Sequence, residues 1–207
     1  MKTITYFILC SLFVISSCKK KDDDHSSANS VLETYSLNID SGWSMKARIN
    51  GIDYSISEGN GATGFFSNNS LLLPPDSVMY NYGSELMDGS STFEVWLLGH
   101  IYPDGQPMQD QDFLNFFAPR NYSYSMGVQN RVSIHWTDDS GVEWGSDINV
   151  GQQGGSEFRI VEVKQVPGIP DFRIKVYCRF RCFLYNYHGD AKILNNGEFA
   201  GVFKPMY

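Results

Sequence analysis

The stretch from Phe172 to Tyr185 alternates apolar and polar side chains with a period of two. Phe172, Ile174, Val176, Cys178, Phe180, Cys182 and Leu184 fall on one face of an extended chain. Arg173, Lys175, Tyr177, Arg179, Arg181, Phe183 and Tyr185 fall on the other. A helix, at 3.6 residues per turn, would scatter both sets around its circumference. The first face therefore belongs in the core of a β-protein. The second is amphipathic, its Arg and Lys stems lying over aromatic rings.

The same period recurs along the chain. Met45, Ala47 and Ile49 alternate with Lys46 and Arg48, and Ile52, Tyr54 and Ile56 resume the pattern after Asn50-Gly51. Asn-Gly between alternating runs is a hairpin signal, because both residues accept positive φ. Val132, Ile134 and Trp136 form a second run, which returns through Val142 and Trp144 after the turn Thr137–Gly141. Further strands are expected over 70–73, 92–102, 158–164 and 192–203, with an irregularity where Ile160 and Val161 are adjacent. Residues 113–117 fit a strand or a short helical turn equally. No segment offers a capped helix of about 12 residues. The pattern predicts an all-β fold: a single antiparallel β-sandwich, immunoglobulin-like or similar, with a lipocalin-like β-barrel as the alternative.

The N-terminus reads as an address. Lys2 precedes an apolar run of 12 residues, Ile4–Ile15, too short to span about 30 Å of hydrocarbon. Ile15-Ser16-Ser17-Cys18 resembles a bacterial lipobox, which implies cleavage before Cys18 and acylation of its sulfur. Two or three acyl chains anchor a protein stably where one does not. The tract Lys19-Lys20-Lys21-Asp22-Asp23-Asp24 resembles the export signal of Bacteroidota surface lipoproteins. The expected organisation is a signal peptide over 1–17, the lipidated Cys18 with a charged tether over 18–30, and one β-rich domain over 31–207. The expected location is the outer membrane, lipid-anchored and facing the cell surface, with a periplasm-facing anchor as the alternative.

The hairpin Met45–Tyr54 and the C-terminal Asn196-Gly197-Glu198-Phe199 are similar to motifs of uncharacterised Bacteroidota-type lipoproteins with a β-rich domain of unknown function. The resemblance spans about residues 44–203, its motifs are turn chemistry plus core positions, and it carries over no catalytic residue.

Signals for chemistry are sparse. A net charge of −7 excludes a basic nucleic-acid binder, since no excess of cations is available to neutralise phosphates. Hydrophobic residues make up 42% of the chain, enough to bury a core, which excludes full disorder. No G-x-S-x-G, H-E-x-x-H or Walker-type loop occurs. No catalytic residue and no cofactor is expected. Cys178 and Cys182, about 13 Å apart along a strand at ~3.3 Å per residue, are too far apart for a disulfide and are expected as reduced core thiols. His100, His135 and His188 lie on or near different strands and read as separate imidazoles. Asp138, Asp139 and Asp147 crowd one hairpin and are weak calcium candidates. Asp76-Ser77-Val78 resembles an O-glycosylation triplet, which implies a surface loop.

Trp43, Trp136 and Trp144 are the ligand-binding candidates, since exposed indoles beside Asn and Asp stack on sugar rings. The expected function is that of a non-catalytic, lipid-anchored cell-envelope protein binding a surface ligand such as a glycan. The alternative is a structural, assembly or adhesin-like subunit of an outer-membrane complex, which requires an exposed sheet edge able to accept a strand. The partners are then the membrane, through the lipid, and a glycan or an envelope protein.

Overall fold

Asn50 and Gly51 both take positive φ, 48° and 83°, and close a two-residue hairpin between β1 (Ser44–Ile49) and β2 (Ile52–Ser57). This is a computed structural model, and it describes residues 37–40, 42–104, 106, 108–124, 129–150, 152–168 and 171–206. The expected signal peptide, Cys18 and the expected charged tether lie outside the described residues. The strands that follow are β3 (Thr63–Leu73), β4 (Ser77–Asp88) and β5 (Ser91–Pro103). After the helix α1 (Asp110–Phe116) come β6 (Asn121–Tyr122), β7 (Arg131–Thr137) and β8 (Glu143–Gly145). The chain ends with β9 (Glu157–Gln165), β10 (Ile174–Tyr185) and β11 (Ala191–Phe203).

The fold is all-β. One 11-stranded antiparallel sheet runs β2-β1-β11-β10-β8-β7-β5-β4-β3, with β9 and β6 branching from β10. The sheet curls into a half-barrel, so that β3 and β4 lie against β11. Side chains stitch the approach. The Trp43 indole donates to Ser84 Oγ at 3.0 Å, and Asn68 Nδ2 donates to the Lys204 carbonyl at 2.9 Å. The concave face is the core, and the alternating face of β10 lies in it: Ile174, Val176, Cys178, Phe180, Cys182 and Leu184 are all buried. Both thiols are free.

Strand β10 changes partner part-way. Its first part pairs with β9, while only Tyr185 pairs with β8. The gap is filled by Gln153, whose Nε2 donates to the Ser146 and Phe183 carbonyls at 2.7 Å each, while its Oε1 accepts from the Phe183 amide at 3.1 Å. One side chain thus satisfies backbone groups that a missing strand would otherwise leave unpaired.

Two bulges shape the sheet. Tyr177 faces Glu162 and Cys178 faces Ile160, so Val161 is the extra residue at the Ile160-Val161 irregularity. The second bulge uses Asn-Gly again, but inside a strand. Across Asn195–Gly197, β11 carries one residue more than β10 and β1, and Asn196 sits at φ 51°.

Two segments differ from the sequence reading. The strand expected over 70–73 runs over all of 63–73. Strand β4 was not foreseen, and it begins inside the Asp76-Ser77-Val78 triplet with Val78 buried. Between the strand and the short helical turn left open over 113–117, the structure takes the helix, over residues 110–116. Seven residues are too few for a helix to stand alone. Packing holds it: Phe113 meets Tyr82 edge-on at 5.0 Å, and Phe117, just beyond it, lies 4.9 Å from Phe203.

Candidate functional site

The tryptophans do not form a platform. Trp136 and Trp144 face each other across β7 and β8 on the concave side, only 1% and 6% exposed. Tyr54 meets Trp136 edge-on at 5.1 Å, and Lys192 Nζ lies 3.9 Å above Trp144 and 4.7 Å above Trp136. A sugar ring finds no open face there. The exposure expected for Trp144 beside its turn is removed by Lys192 and by Asp138, which accepts the Trp144 Nε1 proton at 3.0 Å. Trp43 is half-buried elsewhere, its ring lying against Gly64, where an added Cβ would stand 2.2 Å from the indole.

The three aspartates are also separated. Asp138 closes its own turn: Oδ1 accepts from the Ser140 and Val142 amides, both at 3.0 Å. Burial acts to raise its pKa, but the Trp144, Val142 and Ser140 donors and Lys192 outweigh it, holding the carboxyl below the usual range. Asp139 is exposed at the turn. Asp147 contacts His135, whose side chain leaves β7 on the face opposite Trp136. One ion therefore cannot take both Asp138 and Asp147. Among the described residues, no three His, Cys, Asp or Glu side chains are grouped as a metal site requires.

No motif links Ser133, His135 and Asp147 in the sequence, yet they meet on the convex face. Ser133 Oγ and Asp147 Oδ1 lie 2.9 and 3.0 Å from the same nitrogen, His135 Nε2. A Ser-His-Asp triad places its hydroxyl and carboxylate on opposite ring nitrogens, so this arrangement does not activate the serine. Ser133 is also buried.

The cluster does make folding depend on pH. Burial, the largest influence on His135, lowers its pKa, but the Asp147 hydrogen bond and the charges of Asp147, Glu94 and Glu143 together raise it above 6.5. A raised folded value means stability fully present below about 6.5 and lost as pH rises through the folded pKa. For Asp147, burial is outweighed by the His135 hydrogen bond and charge, and its pKa falls below 3.8. That stability is present above 3.8 and is lost as pH falls through the depressed value. Thermal melts across pH 3–9 are expected to show both slopes, and Asp147→Asn is expected to flatten the alkaline one. An unchanged alkaline slope in that variant would refute the pairing.

A second polar group sits at the end of the sheet beneath α1. His100 Nδ1 and the Tyr82 hydroxyl are 2.9 Å apart, and the imidazole stacks on Phe116 at 4.6 Å. Burial pushes His100 down to about 4, so it is neutral at physiological pH. Tyr102 donates to Asp112 Oδ2 at 2.9 Å beside it. These groups satisfy one another within an aromatic cluster, a structural role. His188 is exposed in the turn before β11, so the three histidines stay apart.

Among the described residues, the feature left without a partner is a strand edge. Strand β2 ends the sheet with 6 residues and carries the Arg48–Asp53 ion pair, 2.8 Å, across it. The outer part of β9 carries Glu162 and Lys164, 3.3 Å apart, and a bulge. Charge, shortness and bulges all discourage pairing with another chain. Strand β3 has none of them. Its 11 residues hold no charged side chain, and all of them pair with β4 in unbroken register. Among the described residues, no β3 backbone group bonds outside that ladder. Phe65, Leu71 and Leu72 are 45%, 54% and 67% exposed. Sequence reading missed this edge because Ser67-Asn68-Asn69-Ser70 looks like turn chemistry. The available signal was charge: Gly59–Pro75 contains no Asp, Glu, Lys or Arg.

No family model, curated protein or solved structure matches the chain.

Proposed function

We propose that this chain is a non-catalytic, lipid-anchored cell-envelope protein whose domain associates with another polypeptide by strand addition at β3. The open, uncharged, unbulged edge of β3 carries the reading. Main-chain groups of such an edge supply affinity, and alternate side-chain positions supply selectivity. The burial of Trp136 and Trp144 ranks assembly above glycan binding, since neither ring offers a stacking face. The anchor rests on Cys18 directly after the apolar run and small residues, and the Lys/Asp tract favours the outer leaflet.

Metabolic labelling with an alkyne fatty acid tests the anchor. The wild-type chain is expected to take the label and Cys18→Ala to lose it entirely. Label retained in Cys18→Ala would refute lipidation at that sulfur. Protease shaving of intact cells is expected to remove the domain. A labelled but protected domain would place it on the periplasmic side, leaving an assembly role there and removing a surface one.

A further inference from the structure

We propose that the partner at the β3 edge is a second copy of this chain, paired antiparallel about a two-fold axis through Asn68. The inference rests on the strand-addition reading and adds the partner's identity. An antiparallel pair related by a two-fold perpendicular to the sheet keeps each face on its own side. Residue 68 then opposes its own counterpart, 67 opposes 69, and 65 opposes 71. On the convex face this sets Phe65 against Leu71 of the other copy, twice by symmetry, on either side of the central Ser67–Asn69 pairs. Both apolar residues are exposed in the single chain, where Phe65 opposes Glu85 and Leu71 opposes Met79, so the juxtaposition gives Phe65 an apolar cross-strand neighbour and covers the open side of Leu71. The register uses the whole strand, with Thr63 opposite Leu73 at its ends.

Charge points to the same surface. Each chain carries a net charge of −7, so two copies repel over most of their surfaces. Strand β3 lies in a stretch of 17 residues, Gly59–Pro75, that carries no charge. Two copies can approach there without placing like charges opposite one another. Lipid anchoring confines both to one membrane surface, raising their effective concentration and lowering the affinity that pairing requires.

Disulfide trapping tests the register. Two differently tagged full-length chains, Ser67→Cys and Asn69→Cys, are co-expressed, and the membrane fraction is oxidised. Directly opposed residues lie about 4.5–5.5 Å apart, within disulfide reach, whereas diagonal ones at about 7–8 Å are not. The native Cys178 and Cys182 are buried and do not compete. A covalent hetero-tagged dimer is expected from the mixed pair, with at least tenfold less dimer from Asn69→Cys alone. Adding Leu71→Lys to both chains is expected to reduce the mixed dimer at least tenfold. Leu71 is exposed, and an unchanged urea midpoint confirms that the variant still folds. Absence of the mixed dimer, an equal yield from Asn69→Cys alone, or insensitivity to Leu71→Lys would overturn the proposal. A cross-link from position 69 to a different polypeptide would also overturn it while leaving strand addition standing, so the two failures are distinguishable.

Discussion

Replacing Phe199 by alanine is expected to remove about 3–5 kcal/mol of folding stability, the usual cost of deleting a fully buried aromatic ring. Phe199 is completely buried, 6.0 Å from the Phe93 ring. Phe93 in turn stacks on Phe180 at 5.8 Å, and Phe180 on Phe158 at 6.0 Å. This row of rings joins β5, β11, β10 and β9 across the concave face. The Phe199 ring also lies over Gly201, where an added Cβ would stand 2.3 Å from it, so neighbouring side chains have little room to fill the void. With total stability of about 5–15 kcal/mol for a domain of this kind, the loss is a large fraction. Tyr187, exposed in a turn, serves as control, and its alanine variant is expected within about 0.5 kcal/mol of wild type. Urea denaturation measures both. A Phe199→Ala loss below about 1 kcal/mol would show that the ring row is not the centre of the core.

Gly197→Ala is expected to cost about 1–3 kcal/mol, although it adds a single methyl group. An ideal Cβ at Gly197 would lie 2.3 Å from Phe180 Cε2 and 2.8 Å from Leu194 Cδ2. The Phe180 ring is held by Phe93 and Phe158 and cannot retreat without opening that row. The bulge at Asn195–Gly197 brings β11 this close to β10. A double-mutant cycle separates the clash from a backbone effect. Phe180→Leu alone is destabilising, but in its presence Gly197→Ala is expected to cost far less. Equal costs in both backgrounds would attribute the effect to the backbone rather than to the ring.

Legibility in the sequence followed how completely a strand's environment is written in its side chains. Strand β10 has one face in the core, and its period of two shows it throughout. The Asn50-Gly51 hairpin was legible because its turn needs positive φ at both positions. The same dipeptide at 196–197 shows the limit: local conformation was readable, but only the neighbouring strands decide between turn and bulge. Strand β4 was hidden because Gly83 and Ser84 are small where its concave and convex neighbours are large. The Trp96 indole lies against Gly83, and Ser84 accepts from Trp43. Strand β3 was hidden because an edge bonded on one side tolerates a polar Ser-Asn-Asn-Ser centre. The convex Ser133–His135–Asp147 group was unreadable because Asp147 joins it from beyond β8. The burial of Trp144 was hidden for a related reason. A Trp beside a turn looks exposed until a lysine from a distant strand, here Lys192, is found lying on it.

The central claim is that β3 is the surface through which this domain meets another polypeptide, and photo-cross-linking in intact cells tests it most directly. A photoreactive residue replaces Asn69 on β3 in one strain and Ser55 on β2 in another, both positions being exposed on sheet edges. The account predicts a discrete covalent adduct from position 69, at the mass of two copies of the chain, and little or none from position 55. No adduct from position 69, or the same adducts at equal yield from both positions, would contradict it.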